Sequence, residues 1–152
     1  QRALIAELAR EKNIRIVSDP QPFNFSRLIN AGRRAAAGDV LLLLNDDVEA
    51  TDVTGPGWLG ELVSHAMRPG IGCVGALLLY PDHRIQHAGV ILGVNGGPGH
   101  AFRHTPIADA ADDPRLQLVH EVSAVTGACL AVRTALLDAA GGLDERGGLR
   151  GL

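Results

Sequence analysis

Ala37-Gly38-Asp39-Val40-Leu41-Leu42-Leu43-Leu44-Asn45-Asp46-Asp47 decides how this chain folds. The five apolar residues Val40–Leu44 form a continuous run with no polar face. Such a run reads as a strand covered on both sides, which points to a parallel sheet in an α/β protein. It ends abruptly in three oxygen-bearing side chains. Just upstream, Asn24 can cap a helix in which Phe25, Leu28, Ile29, Gly32 and Ala36 share one face of a 3.6-residue repeat. Gly38 then stands where a helix C′ residue is wanted. Further back, Ile14–Val17 reads as a short strand closed by Ser18-Asp19-Pro20, and Ala3–Glu11 as the tail of an amphipathic helix.

Beyond the acidic run, Gly55-Pro56-Gly57 breaks the chain and Trp58–Met67 is expected to be a helix stopped by Pro69-Gly70. Ile71–Tyr80 and Ala88–Val94 read as buried strands, with Pro81-Asp82-His83 as a turn. Asn95–Pro114 is Gly/Pro/Asp/His-rich and longer than ordinary connections, the mark of a binding loop. Val119–Val132 reads as two strand segments around Thr126-Gly127, and Thr134–Ala140 as a short helix. Strand and helix alternate in the first half, and the second half is richer in strands. A doubly wound sheet with a mixed-sheet extension is the expected α/β architecture. In such folds ligands bind beyond the carboxyl ends of the strands, where Asn45-Asp46-Asp47 lies.

Composition sets the outer limits. With 152 residues the chain is about one domain long, and its 14 basic and 17 acidic side chains give a net charge of −3. A binder held by nucleic-acid phosphates would be basic, so that class is disfavoured. Aromatics make up only 3%, which leaves Leu, Val, Ile and Ala to build the core. Cys73 and Cys129 sit in apolar stretches without a CxxC or Cys/His cluster, and read as buried reduced thiols of a cytosolic protein. No apolar run approaches the roughly 18–20 residues that span a bilayer, and no signal peptide is visible. The chain opens with Gln1-Arg2 and no initiating Met, and Arg146–Leu152 has neither a helical nor a strand period, so a fragment is expected.

Two adjacent carboxylates after a strand repel each other unless a positive charge is shared between them. A hard divalent cation meets that need through oxygen ligands and keeps room for substrate phosphates. Asn45 adds a carbonyl oxygen, and Glu49 and Asp52 are further acids in reach. The competing reading is an Asx turn or a cap, as Asp forms in most loops. There is no GxxxxGK[ST], no GxGxxG after a strand, no HExxH and no GxSxG, which removes the usual P-loop, dinucleotide, zincin and α/β-hydrolase readings. His100 and His104 are four residues apart, but Pro98-Gly99 and Pro106 argue for a loop rather than a metal-binding helix. His87 is open between a hydrogen-bonded structural role and contact with a ligand.

Phe23-Asn24-Phe25-Ser26-Arg27-Leu28-Ile29-Asn30-Ala31-Gly32 and Ala37-Gly38-Asp39-Val40 through Asp47 together resemble glycosyltransferase family 2. So do Gly57-Trp58-Leu59, Val74-Gly75-Ala76, Ile85-Gln86-His87-Ala88-Gly89-Val90, Gly99-His100-Ala101-Phe102, Val125-Thr126-Gly127-Ala128-Cys129 and Gly141-Gly142-Leu143-Asp144-Glu145. The resemblance extends over about Ile14–Glu145, and is greatest to the bacterial branch that builds O-antigen and related polysaccharides, rhamnosyltransferases included.

That resemblance implies a GT-A fold, here the central part of a single GT-A domain over residues 1–152, incomplete at both ends. It also implies inverting transfer from a UDP- or dTDP-sugar donor to a saccharide or lipid-linked acceptor, in the cytoplasm or at the inner face of the membrane. Asn45-x-Asp47 falls on the family's DxD position, where the last acid holds Mg²⁺ or Mn²⁺ against the donor diphosphate. Asp47 and Asp46 are therefore the expected metal ligands, with Asn45 replacing the first Asp. Asn30 and Gly32 match the helix beside the donor, and Thr126 and Gly127 the segment near the donor sugar and acceptor. Asp144-Glu145 precedes the family's catalytic base, which Arg146–Leu152 does not resemble, so no base is assigned. The alternatives are a non-catalytic nucleotide-sugar-binding remnant and a metal-dependent nucleotidyltransferase.

Overall fold

The computed structural model describes residues 2–51, 55–94 and 96–146. It is a mixed α/β structure that divides into two compact units, Gln1–Leu41 with Thr134–Leu152, and Leu42–Arg133.

In the first unit, α1 spans Arg2–Leu8 and α2 spans Phe25–Ala35. The expected cap is present: the Asn24 side-chain oxygen accepts the Arg27 amide at 2.9 Å. Residues Ile14–Val17 are not a strand, and Ile14, Ile16 and Val17 stay exposed. A strand exists only by pairing its backbone, and no strand among the described residues takes up these groups. Instead the Arg15 guanidinium donates to the Ala35 carbonyl at 2.8 Å, closing the C-terminal end of α2. The α2 surface also holds the chain's return. Asn24 donates to the Glu145 carbonyl at 2.9 Å, and Arg33 pairs with Asp138.

The strand β1, Val40–Leu44, forms as expected and stands at the end of a three-stranded sheet. Next come α3 (Trp58–Ala66) and β2 (Cys73–Gly75). Only Leu41 of β1 is buried and Leu44 is 46% exposed, so the expectation of cover on both faces is corrected. An edge strand has a neighbour on one side only, and its apolar run outlasts its cover.

Ile71–Tyr80 is not one strand. Its second piece, β3 (Leu78–Leu79), pairs antiparallel with β4 (Ile85–His87) in a separate hairpin. Strand β5 (Val90–Val94) pairs antiparallel with β6 (Gly97–His100), so a strand stands where a loop was expected. A 3₁₀ turn (Ile107–Ala110) and α4 (Pro114–Gln117) follow. Only the second half of Val119–Val132 is a strand: β7, Cys129–Arg133, lies between β1 and β2, with the register Cys73 to Val132 and Gly75 to Leu130. The chain then enters α5, Thr134–Ala139, in the first unit. Ala124 makes a single bridge to Val90.

The core of the second unit gathers Leu62, Ala66, Leu78, Ile85, Val90, Cys129, Ala131 and Val132. Cys129 is buried as expected, whereas Cys73, at the start of the short β2, is exposed. No described helix is long and apolar enough to cross a membrane.

Candidate functional site

The second unit carries the site, and a path of hydrogen bonds assembles it. At the tip of β1 the Asn45 amide donates to the Ala128 carbonyl at 2.9 Å. The Ala128 amide donates to the Thr126 hydroxyl at 3.4 Å, which folds Thr126-Gly127-Ala128 into a tight turn. The Thr126 amide donates to His87 Nε2 at 3.2 Å, and the Gly89 amide reaches the same nitrogen at 3.3 Å. Nδ1 of His87 lies 3.0 Å from Nδ1 of His100. The path brings Asn45, Thr126 and the two histidines together across three sheets.

Burial explains the state of His87. The ring is 1% exposed, and burial first, then the charge of His100, lowers its pKa to about 4. A neutral imidazole has one protonated nitrogen. Because Nε2 faces two amide donors, the proton sits on Nδ1 and is donated to His100. His100 Nδ1 is then the acceptor of that bond. Of the two roles open to His87, the hydrogen-bonded structural one is present; its ring also borders a cavity.

That cavity, about 170 Å³, is lined by Leu78, Tyr80, Gln86, His87, His100, Arg103, Thr126 and Ala128. The loop after β6 shapes one wall. Phe102 and His104 both have left-handed backbones, at φ 57° and 68°. Such residues are uncommon outside glycine and need support. Backbone bonds from Ala101 to Gly89 (3.0 Å) and from His104 to Ile85 (2.8 Å) supply it, as does the His104 ring stacked 5.3 Å from Tyr80. Arg103, between them, donates through Nε to the Tyr80 hydroxyl at 3.2 Å. His100 and His104 thus serve different neighbours.

Asn45, Asp46 and Asp47 are exposed in a turn, with the Val48 amide 3.4 Å from the Asn45 carbonyl. Among the described residues no basic side chain pairs with Asp46 or Asp47. Two uncompensated carboxylates and an amide oxygen at a strand tip are a hard-oxygen donor set. That chemistry fits Mg²⁺ or Mn²⁺ completed by substrate phosphates and water. The described residues hold no cluster of three or more His, Cys, Asp or Glu able to enclose an ion unaided. Asp52 lies outside the described residues.

Asn30 and Gly32 are in the first unit. Asn30 is 8% exposed, and its amide donates to the Leu143 carbonyl (2.9 Å) and to Glu145 Oε1 (2.8 Å), while its oxygen accepts the Leu143 amide (2.9 Å). It clamps Leu143-Asp144-Glu145 onto α2. Gly32, in the middle of α2, has open space where a side chain would stand. Sequence reasoning missed Tyr80, Gln86 and Arg103. Gln86 precedes His87 inside a motif already quoted and Arg103 directly follows Phe102 at the end of another, so their signal was position within or next to those motifs.

Comparison with known proteins gives the family. The family model described as glycosyl transferase family 2 matches residues 2–96. O-antigen biosynthesis protein RfbC of Myxococcus xanthus is 37% identical over 145 residues, which are 95% of this chain and 11% of that protein. Uncharacterized protein y4gI of Sinorhizobium fredii (strain NBRC 101917 / NGR234) is 47% identical over 135 residues, 89% of this chain and 14% of that protein. The chain therefore spans a small part of the length of both curated relatives. No solved structure matches. With well over half its length matched, the chain belongs to glycosyl transferase family 2.

Proposed function

We propose that this chain is the central part of a single GT-A domain with a doubly wound mixed sheet, and that the domain transfers a sugar, with inversion, from a nucleotide-diphosphate donor to a saccharide or lipid-linked acceptor. Asp47 and Asp46 hold Mg²⁺ or Mn²⁺, and Asn45, Thr126 and Gly127 line the donor side. Asn30 and Gly32 join this reading through the family pattern alone. When bound, the ion neutralises negative charge on the departing diphosphate. The turn at Thr126-Gly127-Ala128 fixes the strand tip through Asn45, and His87 fixes the turn, so the carboxylates are presented on a prepared frame. The domain works in the cytoplasm, and the O-antigen relative favours a polysaccharide product.

The observation that carries the reading is the bond path from Asn45 through Ala128 and Thr126 to His87, within a chain of this family. Calorimetry with UDP-glucose and dTDP-rhamnose, with and without Mn²⁺, tests it. Binding that requires Mn²⁺ and is lost in Asp47→Ala is expected; affinity indifferent to both overturns it. Transfer of the sugar to an added saccharide separates an enzyme from a domain that only binds the donor.

A further inference from the structure

The cavity beside His87 has features that metal-assisted donor binding does not use. Its lining contains no carboxylate, and Arg103 supplies its single formal charge. Arg103 spends only Nε, on the Tyr80 hydroxyl; among the described residues neither terminal nitrogen has a protein partner. The same Arg sits between two strained left-handed residues strapped to β4 and Gly89, the kind of backbone cost retained where a ligand group must be held in place. His100, whose Nδ1 is turned to His87, lines the cavity beside it. Gln86 and the Thr126 hydroxyl add groups that both donate and accept. At about 170 Å³ the cavity admits one sugar-sized group, and it is smaller than the roughly 300–1,000 Å³ of sites for drug-sized ligands.

We propose that this cavity is a subsite for a sugar bearing an oxyanion, with the free guanidinium edge of Arg103 gripping the anion and His100, Gln86 and Thr126 reading the hydroxyls. A guanidinium fork matches carboxylate and phosphate equally well, so the anion is either a uronate carboxylate or a sugar phosphate. The choice of a sugar rests on the glycosyl-transfer reading; the choice of an anion rests on Arg103.

The test is an NMR titration of the chain with D-glucuronate, glucose 1-phosphate and glucose, in EDTA and without nucleotide. Glucuronate or glucose 1-phosphate is expected to shift the His100 and Arg103 side-chain signals, and glucose to bind much more weakly. Arg103→Gln should weaken the anionic sugar at least about tenfold, with Arg103→Lys intermediate and both variants native by circular dichroism. Tighter glucuronate assigns the carboxylate source, tighter glucose 1-phosphate the phosphate source, and either supports the subsite. Glucose binding as well as the anionic sugars, an Arg103→Gln variant that keeps its affinity, or no binding of any of the three overturns it. No nucleotide or divalent ion enters this experiment, so its failure leaves the Asp47 test standing, and the reverse holds too.

Discussion

His87 and His100 meet nitrogen to nitrogen, Nδ1 to Nδ1 at 3.0 Å, while the far nitrogen of His87 accepts two backbone amides. Protonating His87 would turn that acceptor into a third donor facing Gly89 and Thr126. Burial already lowers its pKa from 6.5 to about 4. In the unfolded chain the same ring takes a proton near its ordinary value. Between the two values the unfolded state binds more protons, so stability is full above pH 6.5 and falls as pH drops toward 4. The shift sets an upper bound of about 3 kcal/mol on the loss. Asp19 and Asp144, held low chiefly by hydrogen bonds from Arg27 and Arg146, weaken the fold only at still lower pH. Urea denaturation at pH 7.5, 6 and 5 measures the slope. His87→Gln should be less stable at pH 7.5 yet much flatter with pH, and an undiminished slope would assign the effect to another group.

Asn30 and Gly142 make a second interdependent pair. A Cβ on Gly142 would stand 2.6 Å from Asn30 Oδ1, and Gly142 has φ +84°. Gly142→Ala therefore meets both backbone strain and a collision, and should cost about 1–3 kcal/mol. Asn30→Asp removes both donors and turns a carboxylate toward the Leu143 carbonyl and the Glu145 carboxylate, for about 2–4 kcal/mol. Gly32→Ala is the control on the same helix: its side chain would enter open space, and helix propensity makes it neutral or slightly stabilising. Thermal melts rank the three variants, and a Gly142→Ala protein as stable as the parent would remove the steric account.

These pairs show what the sequence could reveal. The helix after Asn24 was readable because its cap and its 3.6-residue face are local, and the Asn24–Arg27 bond is present. Val40–Leu44 was readable for the same reason, but its exposure was not, because cover depends on neighbours far along the chain. Ile14–Val17 has good strand composition yet no strand to pair with among the described residues. Leu78 and Val74 sit in one apolar run, and only the separate pairing of β3 with β4 shows that they serve different sheets. Asn45-Asp46-Asp47 and Thr126-Gly127 were visible as motifs. The cavity was not, since Tyr80, Gln86 and Arg103 converge only after the hairpin and the left-handed loop have formed.

Gly75 tests whether the motif glycines hold the site or merely permit a turn. A Cβ there would lie 2.7 Å from Cβ of Val125, an atom too close to the backbone to swing aside. Gly75→Ala must push Val125, and with it Thr126, which donates to His87. A cost of about 1–3 kcal/mol is expected, with a shifted His87 imidazole signal by NMR. Gly72→Ala, three residues earlier with nothing within 4 Å, should leave that signal in place. Equal effects from the two substitutions would break the link between Gly75 and the histidine.

Asn45 offers a test in the direction of gain. Its side chain brings an oxygen to the strand tip but no charge, beside two aspartates that no basic side chain among the described residues compensates. Asn45→Asp adds a third negative charge. Without a cation the three carboxylates repel one another, and the exposed turn loses a few tenths of a kcal/mol. With Mn²⁺ present the added charge strengthens the donor set, and affinity for the ion with nucleotide should rise several-fold, since ligand charge is what tunes hard-cation sites. The backbone bond from Asn45 to the Ala128 carbonyl does not involve the side chain, so the frame survives the substitution. Mn²⁺ titration by electron paramagnetic resonance, run beside Asp47→Ala, reads both directions at once. Opposite responses in the two variants place the ion at this tip, whereas an Asn45→Asp protein with unchanged Mn²⁺ affinity would remove the residue from the site.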